Sequence, residues 1–210
     1  MKLHRDATAP GILPVLGVLS SVLSDEKYYL AGGTALALLE GHRISVDIDI
    51  FRSHLPDPQD LLGQLEAEID GIEEGALGNG AVYLVISGVQ VSLIGYRYPL
   101  LQEPLKASPE LIPLAHRDDI AAMKLAAITA RGTRKDFIDL WTLISRHHPL
   151  EYYLEAFRKK FENRDTGHVL RSLTYFEDAE DEPALRLIAP VDWEGLKADF
   201  RAWVRELLPE

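Results

Sequence analysis

The chain has 210 residues, a formal net charge of −11 and 47% hydrophobic residues, so it can bury one substantial core or two smaller ones. It contains no cysteine, which excludes disulfides, thiolate catalysis and cysteine zinc sites and fits a cytoplasmic location. The apolar run at residues 11–23 is interrupted by Pro14 and is shorter than the roughly 20 residues that span a bilayer, so we predict an N-terminal helix and no membrane segment.

The first 113 residues predict a small mixed β-sheet flanked by helices. Alternation with period two at residues 44–51 indicates a strand with one buried face, and strong helix formers at 34–40 end at Gly41. The remaining predictions for this part are a strand at 28–31, a helix at 58–69, adjacent antiparallel strands at 81–87 and 89–96, and a linker at 98–113.

Beyond the linker the sequence predicts helices at 118–131, 134–147, 151–163 and 191–208, a further helix capped by Asp165 and Thr166, and an acidic loop at 176–182. The fold class is therefore α+β, with a sheet domain at 1–113 and a helical domain at 114–210. Residues 116–171 hold eleven Lys and Arg against eight Asp and Glu, which suits phosphate contact or an ordinary solvated helical face.

A glycine turn stands at the predicted junction of the first strand and its helix. Gly32 and Gly33 would let backbone N–H groups at the helix N-terminus approach a phosphate closely. The hydroxyl of Thr34 would cap the helix or bind a phosphate. On its own, the pattern is more typical of a plain cap and a tight turn.

One short helix later, Asp47 and Asp49 lie two residues apart on a predicted strand, so their side chains share a face. Val46, Ile48 and Ile50 are expected on the opposite, buried face. Adjacent carboxylates repel each other unless a cation neutralises them, and hard oxygen ligands suit Mg²⁺. A lone D-x-D is a weak signal, but its place just after the glycine turn predicts a nucleotide–magnesium site.

The spacing from Gly32-Gly33-Thr34 to Asp47-Ile48-Asp49 resembles the signature of nucleotidyltransferases of the DNA-polymerase-β type. The longer string A-G-G-T-A-L-A-L-x-x-G-H-R-x-S-x-D-I-D-I-F resembles the AbiEii/AbiGii toxin family. A second block, residues 119–140, resembles that family's helical-domain motifs. The resemblance implies transfer of a nucleotide from an NTP, with bound Mg²⁺ and release of pyrophosphate.

The resemblance also implies roles for particular residues. Asp47 and Asp49 would hold Mg²⁺, the turn at residues 32–34 would cradle the phosphates, and Lys124 would contact the triphosphate. Arg43 would reach a phosphate or the acceptor, or else pack its loop. The acceptor would be an RNA, such as a tRNA end, or a protein hydroxyl. The setting would be a toxin–antitoxin or phage-defence pair with a separate antitoxin protein.

In the second block, Lys124 lies within an apolar helical stripe, where it must either extend to solvent or meet an anion. Asp136 and Asp139 lie three apart on the next helix, away from its predicted buried stripe. They form either an exposed charge cluster, or a site in which one of them is the base or orients the acceptor. The sequence does not choose between the two carboxylates.

Ser92 departs from the family pattern, because related enzymes often place a third carboxylate on this later strand. Either Asp136 or Asp139 supplies what Ser92 lacks, or the site has two carboxylates only. The alternative to an enzyme is therefore a catalytically silent module of the same fold that binds a nucleotide or a partner.

Overall fold

The computed structural model describes residues 2–23, 27–163, 165–183 and 185–208. The chain divides into two compact units. The first comprises residues 1–99 and 103–116, and the second comprises residues 100–102 and 117–210.

The first unit contains a five-stranded mixed sheet with the order β1-β2-β5-β4-β3. Strands β2 and β5 are parallel, and the other neighbouring pairs are antiparallel. The elements are α1 (Ile12–Val22), β1 (Tyr29–Ala31), α2 (Gly32–Glu40), β2 (Asp47–Arg52), α3 (Pro58–Glu68), β3 (Ile72–Gly78), β4 (Ala81–Ile86) and β5 (Val89–Gly95).

One face of this sheet is apolar, and α1, α2 and α3 pack against strands of the sheet. The buried side chains of the central strands include Ile48, Ile50, Val91 and Leu93. The predicted burial of Val46 is wrong: β2 begins at Asp47, and Val46 lies before it with 60% of its surface exposed. The buried face of this strand thus begins at Ile48, the next residue of the alternating pattern.

Strand β3 was not predicted from the sequence. Its residues, I-E-E-G-A-L-G, lack both β-branched enrichment and clean alternation, and most of them are exposed. They become a strand because they pair with β4 along an antiparallel hairpin. Tertiary pairing here overrides a weak local preference.

The predicted linker is more ordered than its four prolines suggest. Leu114 forms one isolated β-bridge with Leu30 of β1 and another with Leu105. These backbone contacts attach the end of the segment to the sheet unit. Residues 100–102 belong to the second unit, where the buried carboxylate of Asp119 accepts backbone hydrogen bonds from Leu101 and Gln102. Lys160 pairs with the same carboxylate at 2.6 Å.

The second unit is helical. Its elements are α4 (Arg117–Ala130), α5 (Arg134–Arg146), α6 (Leu150–Phe161), α7 (Gly167–Ser172), α8 (Glu177–Glu180) and α9 (Trp193–Leu207). Rings from α5, α9 and the start of α8 meet in an aromatic core: Phe137, Phe176, Trp193 and Phe200. The predicted acidic loop is wrong in part, because the short helix α8 forms within it and buries Ala179.

The α+β class is confirmed, with the predicted mixed sheet preceding the predicted helices. Among the described residues, no helix has both the length and the apolar character that a membrane crossing requires.

Candidate functional site

The glycine turn lies directly against one of the two strand carboxylates. Gly32 starts α2 with a φ of +66°, in the left-handed region that favours glycine. A Cβ on Gly32 would lie only 2.8 Å from Oδ2 of Asp49. The absent side chain therefore allows the carboxylate to approach the turn.

The second glycine of the turn leaves space for the guanidinium group of Arg43. A Cβ on Gly33 would lie 2.5 Å from Nη2 of Arg43 and 3.2 Å from Oγ of Ser45. Arg43 is buried, and its Nη1 donates a hydrogen bond to the carbonyl oxygen of Ile44. The predicted site residue Arg43 is thus packed against the turn.

A chain of hydroxyl groups connects α2 to the start of β2. The buried Thr34 hydroxyl donates to the carbonyl oxygen of Asp47 and lies 2.9 Å from Oγ of Ser45. Oγ of Ser45 in turn lies 3.4 Å from Oδ1 of Asp47. Thr34 does not make the predicted helix cap, since no side chain caps α2. It joins the turn to the carboxylate strand instead.

Asp47 and Asp49 are both half-buried, two residues apart on the face of β2 opposite the buried Ile48 and Ile50. In the parallel register of β2 and β5, Asp49 lies beside Ser92. Ser92 therefore occupies the neighbouring position at which related enzymes often have a third carboxylate.

The carboxylate oxygens of Asp47 and Asp49 fit Mg²⁺, which binds hard oxygen ligands. Magnesium sites often use one or two carboxylates together with substrate phosphates. Within the described part of the chain, no group of three or more His, Asp or Glu side chains is arranged to hold a metal ion. The protein would therefore supply the carboxylates of Asp47 and Asp49, and the substrate and water the remaining ligands.

In the helical unit, Lys124 lies between two buried carboxylates. Its Nζ is 2.8 Å from Oδ1 of Asp136 and 2.7 Å from Oδ2 of Asp139. Both aspartates are fully buried. The alternatives of an exposed acidic cluster and of a lysine extended to solvent are therefore wrong.

Asp136 also accepts hydrogen bonds from residues outside this triad. Arg131 donates to it from Nε and Nη2, and the Thr133 hydroxyl donates at 2.6 Å. Burial alone would raise the pKa of Asp136, but the Lys124 ammonium and the hydrogen bonds from Arg131, Lys124 and Thr133 together lower it to about 2. Asp136 is consequently an anion at neutral pH.

The predicted residues thus form two groups, one in each unit. The sheet unit brings together Gly32, Gly33, Thr34, Arg43, Asp47 and Asp49, and the helical unit brings together Lys124, Asp136 and Asp139. Three supporting residues were not singled out from the sequence, namely Ser45, Arg131 and Thr133. Ser45 could have been found, because it stands two residues before Asp47 in the same alternating pattern.

Comparison with known proteins gives a family for this arrangement. Residues 15–209 match the family model described as nucleotidyl transferase AbiEii toxin, type IV toxin–antitoxin system. An uncharacterized protein of Aquifex aeolicus (strain VF5) is 37% identical over 185 residues, which cover 86% of this chain and 88% of that protein.

Two solved structures have a similar fold. One is the nucleotidyltransferase toxin MenT4 of Mycobacterium tuberculosis H37Rv, with a TM-score of 0.59, 19% identity, and coverage of 92% of this chain and 82% of that one. The other is a putative nucleotidyltransferase from H. pylori, with a TM-score of 0.54, 16% identity, and coverage of 93% and 91%. At these identities the comparison shows a shared fold.

Proposed function

This chain belongs to the AbiEii family of nucleotidyltransferase toxins, and from that premise we propose that it transfers a nucleotide from an NTP to a hydroxyl group of a polymer. The acceptor oxygen bonds to the α-phosphorus, the bond from that phosphorus to the bridging oxygen breaks, and pyrophosphate leaves. The acceptor proton passes to a carboxylate. The observation that carries this proposal is the contact between the Asp49 carboxylate and the Gly32 turn.

In this proposal Asp47 and Asp49 hold Mg²⁺ and the glycine turn receives the phosphates of the NTP. Bound magnesium supplies positive charge that neutralises the phosphates and helps the leaving group depart. The N-terminus of α2 offers backbone N–H groups, and Arg43 adds a cation beside Gly33. Thr34 and Ser45 act as positioning residues, since their hydroxyls connect α2 to Asp47.

The helical triad is assigned a supporting role in this proposal. The family resemblance implies that Lys124 contacts the triphosphate, but its ammonium is buried and held by two carboxylates. Asp136, with a pKa of about 2, is too weak a base to accept a proton readily at neutral pH, so we assign it to holding Lys124 in place. Asp139 is fully buried and contacts the same ammonium at 2.7 Å, so we assign it the same role of holding Lys124.

The biological setting follows from the family description. A type IV toxin–antitoxin family implies an antitoxin partner, and we propose that it is a separate protein acting with this toxin in the cytoplasm, in toxin–antitoxin control or phage defence. The acceptor is an RNA, such as a tRNA end, or a protein hydroxyl.

The experiment that tests this function asks which polymer gains label. Purified protein is incubated with Mg²⁺, each α-labelled NTP in turn, total RNA and cell lysate, and RNA and protein are then separated. We expect label from at least one NTP to enter one of the two polymers. Binding of NTP without any transfer would overturn the proposal and favour a silent nucleotide-binding module.

A further inference from the structure

The two edges of the five-stranded sheet differ in what lies beside them. Along β1, the backbone N–H of Leu30 donates to the carbonyl oxygen of Pro113, and that of Ala115 donates to the carbonyl oxygen of Leu30. Along the opposite edge, β3 pairs with β4 on its inner side, and no other strand of the described residues lies along its outer side. The outward backbone N–H and C=O groups of β3 are therefore available to another strand.

Helix α3 covers part of one face of β3 and leaves its edge open. A Cβ on Gly75 would lie 2.9 Å from Cδ1 of Leu62 and 3.3 Å from Oε1 of Glu66, so α3 rests on the backbone of β3 at this point. Further along the strand, Leu77 is 49% exposed, although its register partner Val82 is fully buried. Leu77 thus extends the apolar layer to the margin of the sheet, where a further strand would cover it.

Four carboxylates surround the start of this edge. Glu66, Asp70, Glu73 and Glu74 line a depression of about 290 Å³ between the end of α3 and β3. Residues 53–96 contain no Lys or Arg, and none of these four side chains forms an ion pair with any residue that the structure describes. The edge therefore attracts cationic side chains from outside the chain.

The same charges disfavour a second copy of this chain as the occupant. Two β3 edges in contact would bring two groups of four carboxylates together without a counter-charge, and like charges across paired strands are destabilising. The one irregularity of register lies between Ile72 and Glu74, and residues 74–78 pair regularly with β4. A cationic segment from a different protein would meet a regular edge and opposite charge.

We propose that the edge of β3 is a docking site for an extended segment of a partner protein, which adds to the sheet as a further strand and carries alternating basic and apolar side chains. Main-chain hydrogen bonds to residues 74–78 hold the segment, as in other cases of strand addition. Its basic side chains face Glu74 and the acidic depression, and an apolar side chain covers Leu77 on the other face. The site lies three strand spacings, about 14 Å, from β2, so it is separate from the proposed transfer chemistry.

The test titrates short fluorescent peptides onto the full-length protein. The first peptide alternates lysine and valine, the second has the same sequence with every other backbone nitrogen methylated, and the third has glutamate in place of lysine. Methylation removes N–H donors and keeps the charge, so it separates strand addition from charge attraction. We expect the methylated peptide to bind at least about tenfold more weakly, because several main-chain hydrogen bonds are lost, and the glutamate peptide not to bind.

Paired charge variants locate the attraction. Glu73→Gln with Glu74→Gln removes two charges from the edge, and Glu151→Gln with Glu206→Gln removes two from exposed positions of the helical unit. The edge variant should bind the lysine–valine peptide about fivefold more weakly, as expected for two exposed charge pairs, and the control should bind it like the wild type. Equal weakening by both variants would overturn the site, because it would show attraction by net charge alone.

Hydrogen exchange shows which backbone the peptide contacts. Amides within residues 72–78 should gain protection when the lysine–valine peptide is added, whereas those of β1 should not change. Protection confined to other residues, or equal binding of the methylated and unmethylated peptides, would overturn the docking site. So would a dimer of the free protein that protects the same amides, since the occupant would then be a second copy. None of these outcomes depends on nucleotide transfer, which is assayed separately.

Discussion

Gly32 has a hydrogen atom in place of a side chain, and this allows Asp49 of β2 to lie close to the turn. The φ of Gly32 is +66°, and its missing Cβ leaves the space beside Oδ2 of Asp49. Both features could be anticipated from the sequence only as a preference for glycine in a tight turn. The identity of the neighbouring atom depends on the fold.

Gly32→Ala should therefore damage the site more than the fold. The left-handed backbone conformation costs an ordinary residue about 1–2 kcal/mol, and the new methyl group must displace the Asp49 carboxylate. We expect nucleotide transfer to fall about a hundredfold, as for loss of one stabilising group at a reacting centre. Gly63→Ala on α3 is the control, because no atom lies within 4 Å of its added Cβ. Equal activity of the two variants would contradict the account of the turn.

Asp136 gives a prediction for pH. Its folded pKa of about 2 lies below the ordinary value of 3.8, so its contribution to stability is fully present above about pH 4 and is lost as the pH falls toward 2. The shift corresponds to about 2 kcal/mol. Urea unfolding of wild type and Asp136→Asn from pH 7 to pH 2.5 should show the wild-type advantage shrinking below pH 4. A constant difference across that range would contradict the assigned ionisation.

At the scale of elements, the sequence was most informative where the pattern is local. The glycine turn, the start of α2 and the alternation of β2 follow from neighbouring residues, and the structure has them close to the expected positions. Strand β3 and helix α8 depend on partners distant in sequence, and so the local pattern misses them. The burial of Asp136 and Asp139 was likewise invisible, because charged residues at the start of a helix usually face water.

Lys124 of α4 forms ion pairs with Asp136 and Asp139 of α5, so its substitution should affect stability. A lysine that extended to solvent, one of the two alternatives for Lys124 in the sequence, could be replaced with little effect on the fold. In the structure, removing the ammonium would leave two buried carboxylates facing each other, and breaking a buried ion pair costs about 3–5 kcal/mol. We expect Lys124→Met to lower the unfolding free energy by that amount.

A compensated variant separates this structural role from chemistry. Replacing all three charges, as Lys124→Met with Asp136→Asn and Asp139→Asn, should recover much of the stability because no unpaired charge remains buried. Nucleotide transfer should stay lost if the triad takes part in the reaction. Recovery of both stability and activity would show that the triad is only structural.

At the scale of the whole molecule, each of the two units holds one of the two groups of predicted residues. The sheet unit holds the candidate magnesium ligands and the phosphate turn, and the helical unit holds the lysine and its carboxylates. The order of these motifs along the chain was sufficient to indicate the family, which the comparisons confirm. The open edge of β3 could not be predicted in this way, because β3 forms only through its pairing with β4.

The most direct measurement of the central claim is transfer of label from an NTP by the wild type and by Asp49→Asn. Asp70→Asn, on the exposed surface of the same unit, serves as the matched control. The account predicts that α-labelled NTP marks the acceptor with the wild type and the control, that γ-labelled NTP marks nothing, and that Asp49→Asn is at least about a hundredfold slower while remaining folded. Transfer by Asp49→Asn at the wild-type rate, or label entering from the γ-position, would contradict it.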